Sequence, residues 1–112
     1  MLGSMKILPE SADSDYEPEM TKACEKVFKK LHKPDQIAID KKIEELCKDP
    51  TCGDNFRDPA LKGVLHTHVR GSSGNLLVAW SKEEKPKKKI IIEGVGGHKI
   101  IDWLIEQRKK FR

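Results

Sequence analysis

The spacing of apolar residues changes near residue 50, and this change constrains the fold more than any other feature of the sequence. Before it, apolar residues recur at intervals of three and four, which places them on one face of an amphipathic helix. This stripe consists of Met20, Ala23, Cys24, Val27, Phe28 and Leu31. The first half of the chain therefore predicts helical structure.

A second helix is predicted after a short connection. Pro34 and Asp35 interrupt the first stripe and can begin a new helix, which ends before Pro50. Its apolar face is formed by Ile39, Ile43, Leu46 and Cys47. Two amphipathic helices joined by a short turn predict an antiparallel helical hairpin.

The second half of the chain has the pattern of strands. Residues 51–58 predict a long loop, and strands are predicted over residues 64–69, 76–81 and 88–95. Turns over residues 71–74 and 83–87 join these strands into a three-stranded antiparallel meander. A last helix is predicted from one apolar side that comprises Ile100, Ile101, Leu104, Ile105 and Phe111.

These elements predict an α+β fold, in which an N-terminal helical hairpin packs on a small antiparallel sheet and a C-terminal helix follows. We expect the helices to lie on one face of the sheet. Residues 5–8 could add an N-terminal strand, and the acidic residues 10–19 are expected to form a loop. A length of 112 residues with 37% hydrophobic residues predicts a single domain over residues 5–112. Residues 1–4 resemble an expression scar before a second methionine, Met5.

Composition excludes several classes of protein. No apolar run approaches the roughly 18 residues of a membrane span, and the chain does not open on a basic-then-apolar leader. The odd number of cysteines, three, favours a reducing compartment, so we expect a cytoplasmic protein without a membrane segment. A bridge between Cys47 and Cys52 is the alternative. The cysteines lack the paired spacing of a zinc site, so neither a metal nor a cofactor is predicted.

Positive charge is concentrated in the second half of the chain. Residues 1–56 contain 9 Lys and Arg against 12 Asp and Glu, whereas residues 57–112 contain 13 against 6. The balances are −3 and +7. A concentrated positive field favours a phosphate backbone or an acidic protein partner. A solvated lysine surface explains the same counts.

Three histidines are candidates for chemistry. His66 and His68 are alternate residues of a predicted strand, so both project from one face. His98 follows two glycines at the end of the third strand, where side chains from adjacent strands can converge. Each histidine alone is more often an ordinary surface residue, and His32, at a lysine-rich helix end, is interpreted in that way.

The residues around these histidines suit the cleavage of RNA. Attack by the 2′-hydroxyl requires a group that takes its proton, a group that protonates the leaving oxygen, and cations that offset the phosphorane charge. Basic side chains fall in strands or strand ends that the meander brings side by side: Lys62, His66, His68, Arg70 and His98. This mechanism does not require a metal.

Two segments resemble the RelE superfamily of bacterial toxin–antitoxin toxins, especially its RelE and YafQ branches. In residues 58–81, DPALKGVLHTHVRGSSGNLLVAWS, an L-K-G turn leads into a strand with alternating basic residues. His66, His68 and Arg70 fall at the family's basic positions, and His68-Val69 matches a His-Val pair of YafQ-like toxins. Residues 93–98, EGVGGH, are similar to the family's last strand, which ends in a glycine and then a catalytic Arg or His. The resemblance covers about residues 20–104.

The resemblance implies a ribosome-dependent mRNA endonuclease that inhibits translation and is neutralised by an antitoxin. Its partners would be the ribosome, messenger RNA and a cognate antitoxin in a toxin–antitoxin hetero-oligomer. His68 and His98 would act as acid and base, and Arg70 would stabilise phosphate charge. The residues expected to contact RNA are Lys62, His66, Lys99 and Trp103.

Two functions from other classes compete with this prediction. A ParE-like toxin would share the fold and inhibit DNA gyrase, and it would not need His68 or His98. A non-catalytic nucleic-acid-binding module would follow phosphates with Lys and Arg. Such a module is expected to offer stacking aromatics, and aromatic residues form only 5% of this chain.

Overall fold

The computed structural model describes residues 16–50, 53–72 and 74–110. Within these residues the chain forms a five-stranded sheet, three α-helices and one 3-10 turn. The strands are β1 (Glu17–Met20), β2 (Asp54–Asn55), β3 (Leu65–Gly71), β4 (Gly74–Glu83) and β5 (Lys89–Gly96). The helices are α1 (Lys22–Lys29), α2 (Lys33–Lys48) and α3 (Ile100–Lys110), and the 3-10 turn spans Pro59–Leu61. Among the helices of these residues, none combines the length and the hydropathy that a membrane span requires.

Both predicted N-terminal helices are present. Helix α1 begins after Thr21, whose side chain caps it by accepting a hydrogen bond from the Cys24 backbone N–H at 3.1 Å. Helix α2 begins with a proline in its first turn. Proline lacks a backbone N–H, but the N–H groups of the first turn have no carbonyl partner within the helix, so no helical hydrogen bond is lost. The amide of Gln36 donates to the carbonyl of Leu31 at 2.9 Å. This bond holds the short connection between the two helices.

The predicted antiparallel meander is also present. Strand β3 pairs with β4, and Gly71 faces Gly74 at the predicted turn. Strand β4 pairs with β5, with a register shift between Ala79 and Trp80. The strand order across the sheet is β1-β5-β4-β3-β2. The meander therefore forms the centre of the sheet, and a short strand lies at each edge.

Both edge strands lie in segments for which the sequence predicted loops. Strand β1 covers the end of the predicted loop over residues 10–19 together with Met20, which the sequence assigned to the first helix, and it pairs in parallel with β5. Strand β2 falls within residues 51–58 and pairs with the start of β3. The loop prediction was wrong for these residues because an edge strand needs backbone partners, not alternating apolar side chains. Residues 1–4, the strand predicted over residues 5–8, Phe111 and Cys52 lie outside the described residues, so the predictions for them remain untested.

The sheet is covered by helices on both faces, so the expectation that all helices share one face was wrong. Leu76, Val78 and Trp80 of β4 belong to a core with the apolar residues of α1 and α2. Leu77 and Ala79, between them, belong to a second core with α3. An apolar run without alternation is the pattern of a strand buried on both faces, and residues 76–80 have that pattern.

Candidate functional site

Four rings form a continuous row on the face of the sheet that carries α3. The Phe56 ring stacks on the His66 imidazole with centroids 4.3 Å apart and an angle of 29° between the planes. His66 meets His68 edge to face at 5.7 Å. His68 in turn meets His98 at 5.8 Å. The three histidines that the sequence singled out are therefore neighbours, and the sheet brings His98 to the strand that carries the other two.

The register of the sheet explains why His98 reaches His68. His68 is paired with Leu77 on β4, and Leu77 is paired with Gly96 on β5. His68, Leu77 and Gly96 thus lie side by side across three strands. His98 comes two residues after Gly96 in the chain. The carbonyl of His98 accepts a hydrogen bond from the Ile101 backbone N–H at 3.1 Å. This bond holds the His98 backbone at the start of α3.

Glycine is required where β5 turns into α3. Gly96 has a φ of +138°, a conformation that residues with a side chain rarely adopt. A Cβ atom at this position would lie 2.8 Å from Cγ2 of Ile100. Gly96 therefore allows the close approach of α3 that places His98 at the end of the ring row.

The ring row is half-buried at one end and exposed at the other. Nδ1 of His66 is buried and has no hydrogen-bond partner among the described residues, and the Phe56 ring lies against this imidazole. His68 and His98 are exposed. Neutral imidazole offers one nitrogen as donor and the other as acceptor, so a pair of exposed rings can take one proton and give another. The exposed pair has the freedom to contact a bound phosphate.

Two of the predicted basic residues flank this pair. Arg70 is exposed on β3 and, by the alternation of the strand, projects from the same face as His68. Lys99 is exposed directly after His98. Neither side chain forms an ion pair within the described residues, so both cations are available to an anion.

The other two predicted RNA-binding residues line a separate cavity. Lys62 and Trp103 face a cavity of about 530 Å³ that none of the three histidines lines. Its walls come from α3, from the segment around the 3-10 turn and from the start of α1. Of the four predicted RNA-binding residues, His66 and Lys99 therefore lie at the ring row, and Lys62 and Trp103 line the cavity.

A partly buried polar network fixes the position of α3 beside this cavity. The Arg108 guanidinium donates from Nη1 to Oε1 of Glu93 at 3.1 Å and from Nε to the carbonyl of Ala60 at 3.1 Å. Oε2 of Glu93 accepts a hydrogen bond from the Ser81 hydroxyl at 2.6 Å. The network joins the C-terminal end of α3 to β4, β5 and the 3-10 turn.

Sequence reasoning missed three residues that shape the site: Phe56, Glu93 and Arg108. Phe56 lies in a segment that was predicted as a loop, and its spacing to His66 follows no helix or strand period. Glu93 is a charged residue inside an apolar strand, which is a signal of a buried polar partner. Its partner Arg108 lies 15 residues later in the last helix, and only the tertiary structure brings the two together.

The comparisons with known proteins identify the fold. Neither a family model nor a curated relative matches the sequence. A double arginine-to-alanine mutant of the E. coli toxin RelE in the free state matches with a TM-score of 0.66 and 14% identity, over 83% of this chain and 97% of that chain. A chain of the intact E. coli RelBE toxin–antitoxin complex matches with a TM-score of 0.61 and 19% identity, over 73% of this chain and 95% of that chain. The described chain therefore has the RelE fold, as the resemblance implied.

Proposed function

We propose that this chain is the toxin of a toxin–antitoxin pair and that it cleaves messenger RNA on the ribosome. The observation that carries the proposal is the exposed imidazole pair, with the centroids of His68 and His98 5.8 Å apart. Two imidazoles at this separation can contact the two reacting oxygens of one phosphodiester. The RelE fold supports the proposal because one solved relative is named as a toxin and another as a toxin–antitoxin complex.

The proposed chemistry is an internal phosphoryl transfer. One imidazole of the pair takes the proton of the 2′-hydroxyl, and the 2′-oxygen forms a bond to the adjacent phosphorus. The bond from phosphorus to the 5′-oxygen breaks, and the protonated imidazole of the other residue gives this oxygen a proton. The products are a 2′,3′-cyclic phosphate and a free 5′-hydroxyl.

Cations around the pair would stabilise the transition state. The guanidinium of Arg70 can donate two parallel hydrogen bonds to the phosphorane oxygens, where negative charge accumulates. Lys99 would hold the neighbouring phosphate, and His66 would keep the His68 ring in place from its other side. The proposal thus gives one role each to five residues: His66, His68, Arg70, His98 and Lys99.

The proposed partners follow from the same assignment. The ribosome would present the messenger, and a cognate antitoxin would cover the cationic face in the resting cell. An acidic or amphipathic segment suits that face because it offers opposite charge to residues that form no ion pair with the described chain. A cytoplasmic location belongs to the same proposal.

The decisive experiment compares induced expression of the wild-type chain, a His68→Ala, His98→Ala double variant and a His32→Ala control in bacteria. His32 is exposed at the start of α2, and its side chain makes no capping bond. We expect the wild type and the control to stop growth and to cut translated messages, detected as new 5′ ends. The double variant should fold and lose both effects, with cleavage at least about 100-fold slower.

The same experiment separates the competing functions. A ParE-like gyrase inhibitor predicts that the double variant stays toxic and that toxicity disappears in cells with a resistant gyrase. A non-catalytic binding module predicts RNA association without new 5′ ends in any of the three chains. Either result would contradict the nuclease proposal.

A further inference from the structure

The cavity beside α3 contains polar groups that the protein itself leaves free. Its volume of about 530 Å³ lies within the range of small-ligand sites. The side chains of Trp103, Gln107 and Lys62 line it and form no hydrogen bond or ion pair that involves the described residues. Together they provide an aromatic face, an amide that both donates and accepts, and a cation. Leu104 and Ala60 contribute apolar wall between them.

The remaining charged groups of the cavity are already engaged. Glu93 and Arg108 bind each other, and each holds a further group of the protein. Their charges compensate each other, and their bonds join three segments of the cavity wall. A wall fixed in this way preorganises the free groups, because binding does not need to order the helix.

This combination of free groups matches the chemistry of a nucleotide. A heterocyclic base has a flat π-face for an indole and an edge with donors and acceptors for an amide, and its phosphate needs a cation. We propose that the cavity binds one nucleotide of the RNA chain that crosses the ring row. The base lies against Trp103, its edge contacts the Gln107 amide, and Lys62 holds a phosphate. The inference rests on the proposed function, since it supplies a second contact to the same RNA.

The position of the cavity along α3 supports this placement. Helix α3 begins at Ile100, directly after the His98–Lys99 pair, and Trp103 follows after one turn, a rise of about 5 Å. In this proposal, a single-stranded RNA held at the ring row follows α3 and places a flanking base at Trp103. The cavity would then contribute to which bases are accepted next to the cleaved phosphate.

The test uses the His68→Ala, His98→Ala double variant, so that bound RNA is not cleaved. The indole N–H resonances of Trp103 and Trp80 are followed by NMR during titration with adenosine and uridine 5′-monophosphates and with a short 2′-O-methyl oligonucleotide. Trp80 is fully buried in the opposite core and is an internal reference. We expect saturable shifts of the Trp103 resonance and no shift of the Trp80 resonance.

Point variants in the same background identify the contacts. Gln107→Ala and Lys62→Met should each weaken oligonucleotide binding about fivefold to tenfold, and Trp103→Leu by tenfold or more because stacking is lost. Lys109→Met, on the same helix but outside the cavity, should bind as the parent does. Circular dichroism of each variant reports whether α3 is retained. If Trp103→Leu does not fold, the Gln107 and Lys62 variants decide the matter with the NMR shifts.

Several outcomes would overturn the proposal. An unshifted Trp103 resonance at saturating oligonucleotide would show that the base does not enter the cavity. Equal binding of ribose 5-phosphate would show that only the phosphate is recognised. A Trp103 shift caused by a cognate antitoxin peptide but not by RNA would make the cavity a protein-docking site.

The failure of this inference is distinguishable from the failure of the nuclease proposal. If cleavage depends on the histidines while Trp103 does not respond to RNA, the nuclease stands and the nucleotide cavity is wrong. If the double variant keeps full toxicity while Trp103 responds to nucleotides, the cavity stands and the nuclease assignment fails.

Discussion

The carboxylate of Asp35 accepts a hydrogen bond from the backbone N–H of Ser72 at 2.7 Å, and this bond joins the first turn of α2 to the β3–β4 hairpin. Asp35 is the charged residue that is buried among those described, with 4% of its surface exposed. A Cβ atom at Gly71 would lie 2.8 Å from its Oδ1. The carboxylate thus occupies a space that the hairpin leaves for it.

We expect Asp35→Ala to lower the free energy of unfolding by about 1–3 kcal/mol, because the Ser72 N–H loses its partner in a partly buried place. Asp35→Asn keeps an acceptor oxygen in the same position and should cost less. Urea unfolding of both variants measures the difference. An unchanged midpoint for Asp35→Ala would show that water replaces the carboxylate without cost.

Gly96→Ala should destabilise the protein and displace His98. The φ of +138° and the predicted clash with Ile100 require a change of backbone at the entry to α3, which we expect to cost about 1–3 kcal/mol. Gly97→Ala is the matched control, because a Cβ atom there has no neighbour within 4 Å. Thermal unfolding reports the stability, and the His98 ring resonances report the displacement. Equal behaviour of the two variants would contradict the assigned role of Gly96.

Phe56→Leu should reduce RNA cleavage without removing the fold. Leucine retains apolar volume but loses the face that stacks on His66 at 4.3 Å, so the ring row loses its outer support. We expect a fall of about tenfold in kcat with little change in KM, because a misplaced ring affects the reaction more than binding. Phe28→Leu removes a half-buried ring from the opposite core and is the control. A rise in KM alone would instead make Phe56 an RNA-binding residue.

The stability of the protein should fall in alkaline solution because of Cys24. Burial raises the pKa of this thiol from its ordinary value of 9.0 to about 12, with further contributions from Glu93 and Glu25. The folded state thus favours the protonated thiol. Its contribution to stability is complete below pH 9 and is lost as the pH rises through the folded-state pKa. Unfolding by urea between about pH 8 and pH 11 should show a steeper loss for the wild type than for Cys24→Ala. Parallel curves for the two proteins would show that the thiol ionises freely in the folded state.

The sequence was sufficient for the central elements because their signals are local. The helical stripes around Cys24 and Ile39, the turn between Gly71 and Gly74 and the β-branched run at Ile90 each depend on neighbouring residues alone. The two edge strands carry no such signal, since backbone pairing with β5 or β3 decides them. The location of α3 on the second face of the sheet also depended on tertiary packing, whereas the sequence predicted all helices on one face.

The candidate site divides in the same way. Residue types and strand alternation were enough to select His66, His68 and His98, because basic side chains on one strand face and after a terminal glycine pair are visible in the sequence. That His68 and His98 meet depended on the register of β3, β4 and β5. That Phe56 stacks on His66 depended on the pairing of β2 with β3, and that Lys62 and Trp103 line a separate cavity depended on the packing of α3 beside the 3-10 turn. Register is set by the packing of two cores against the sheet, which involves residues far apart in the chain, and only the tertiary structure contains that information.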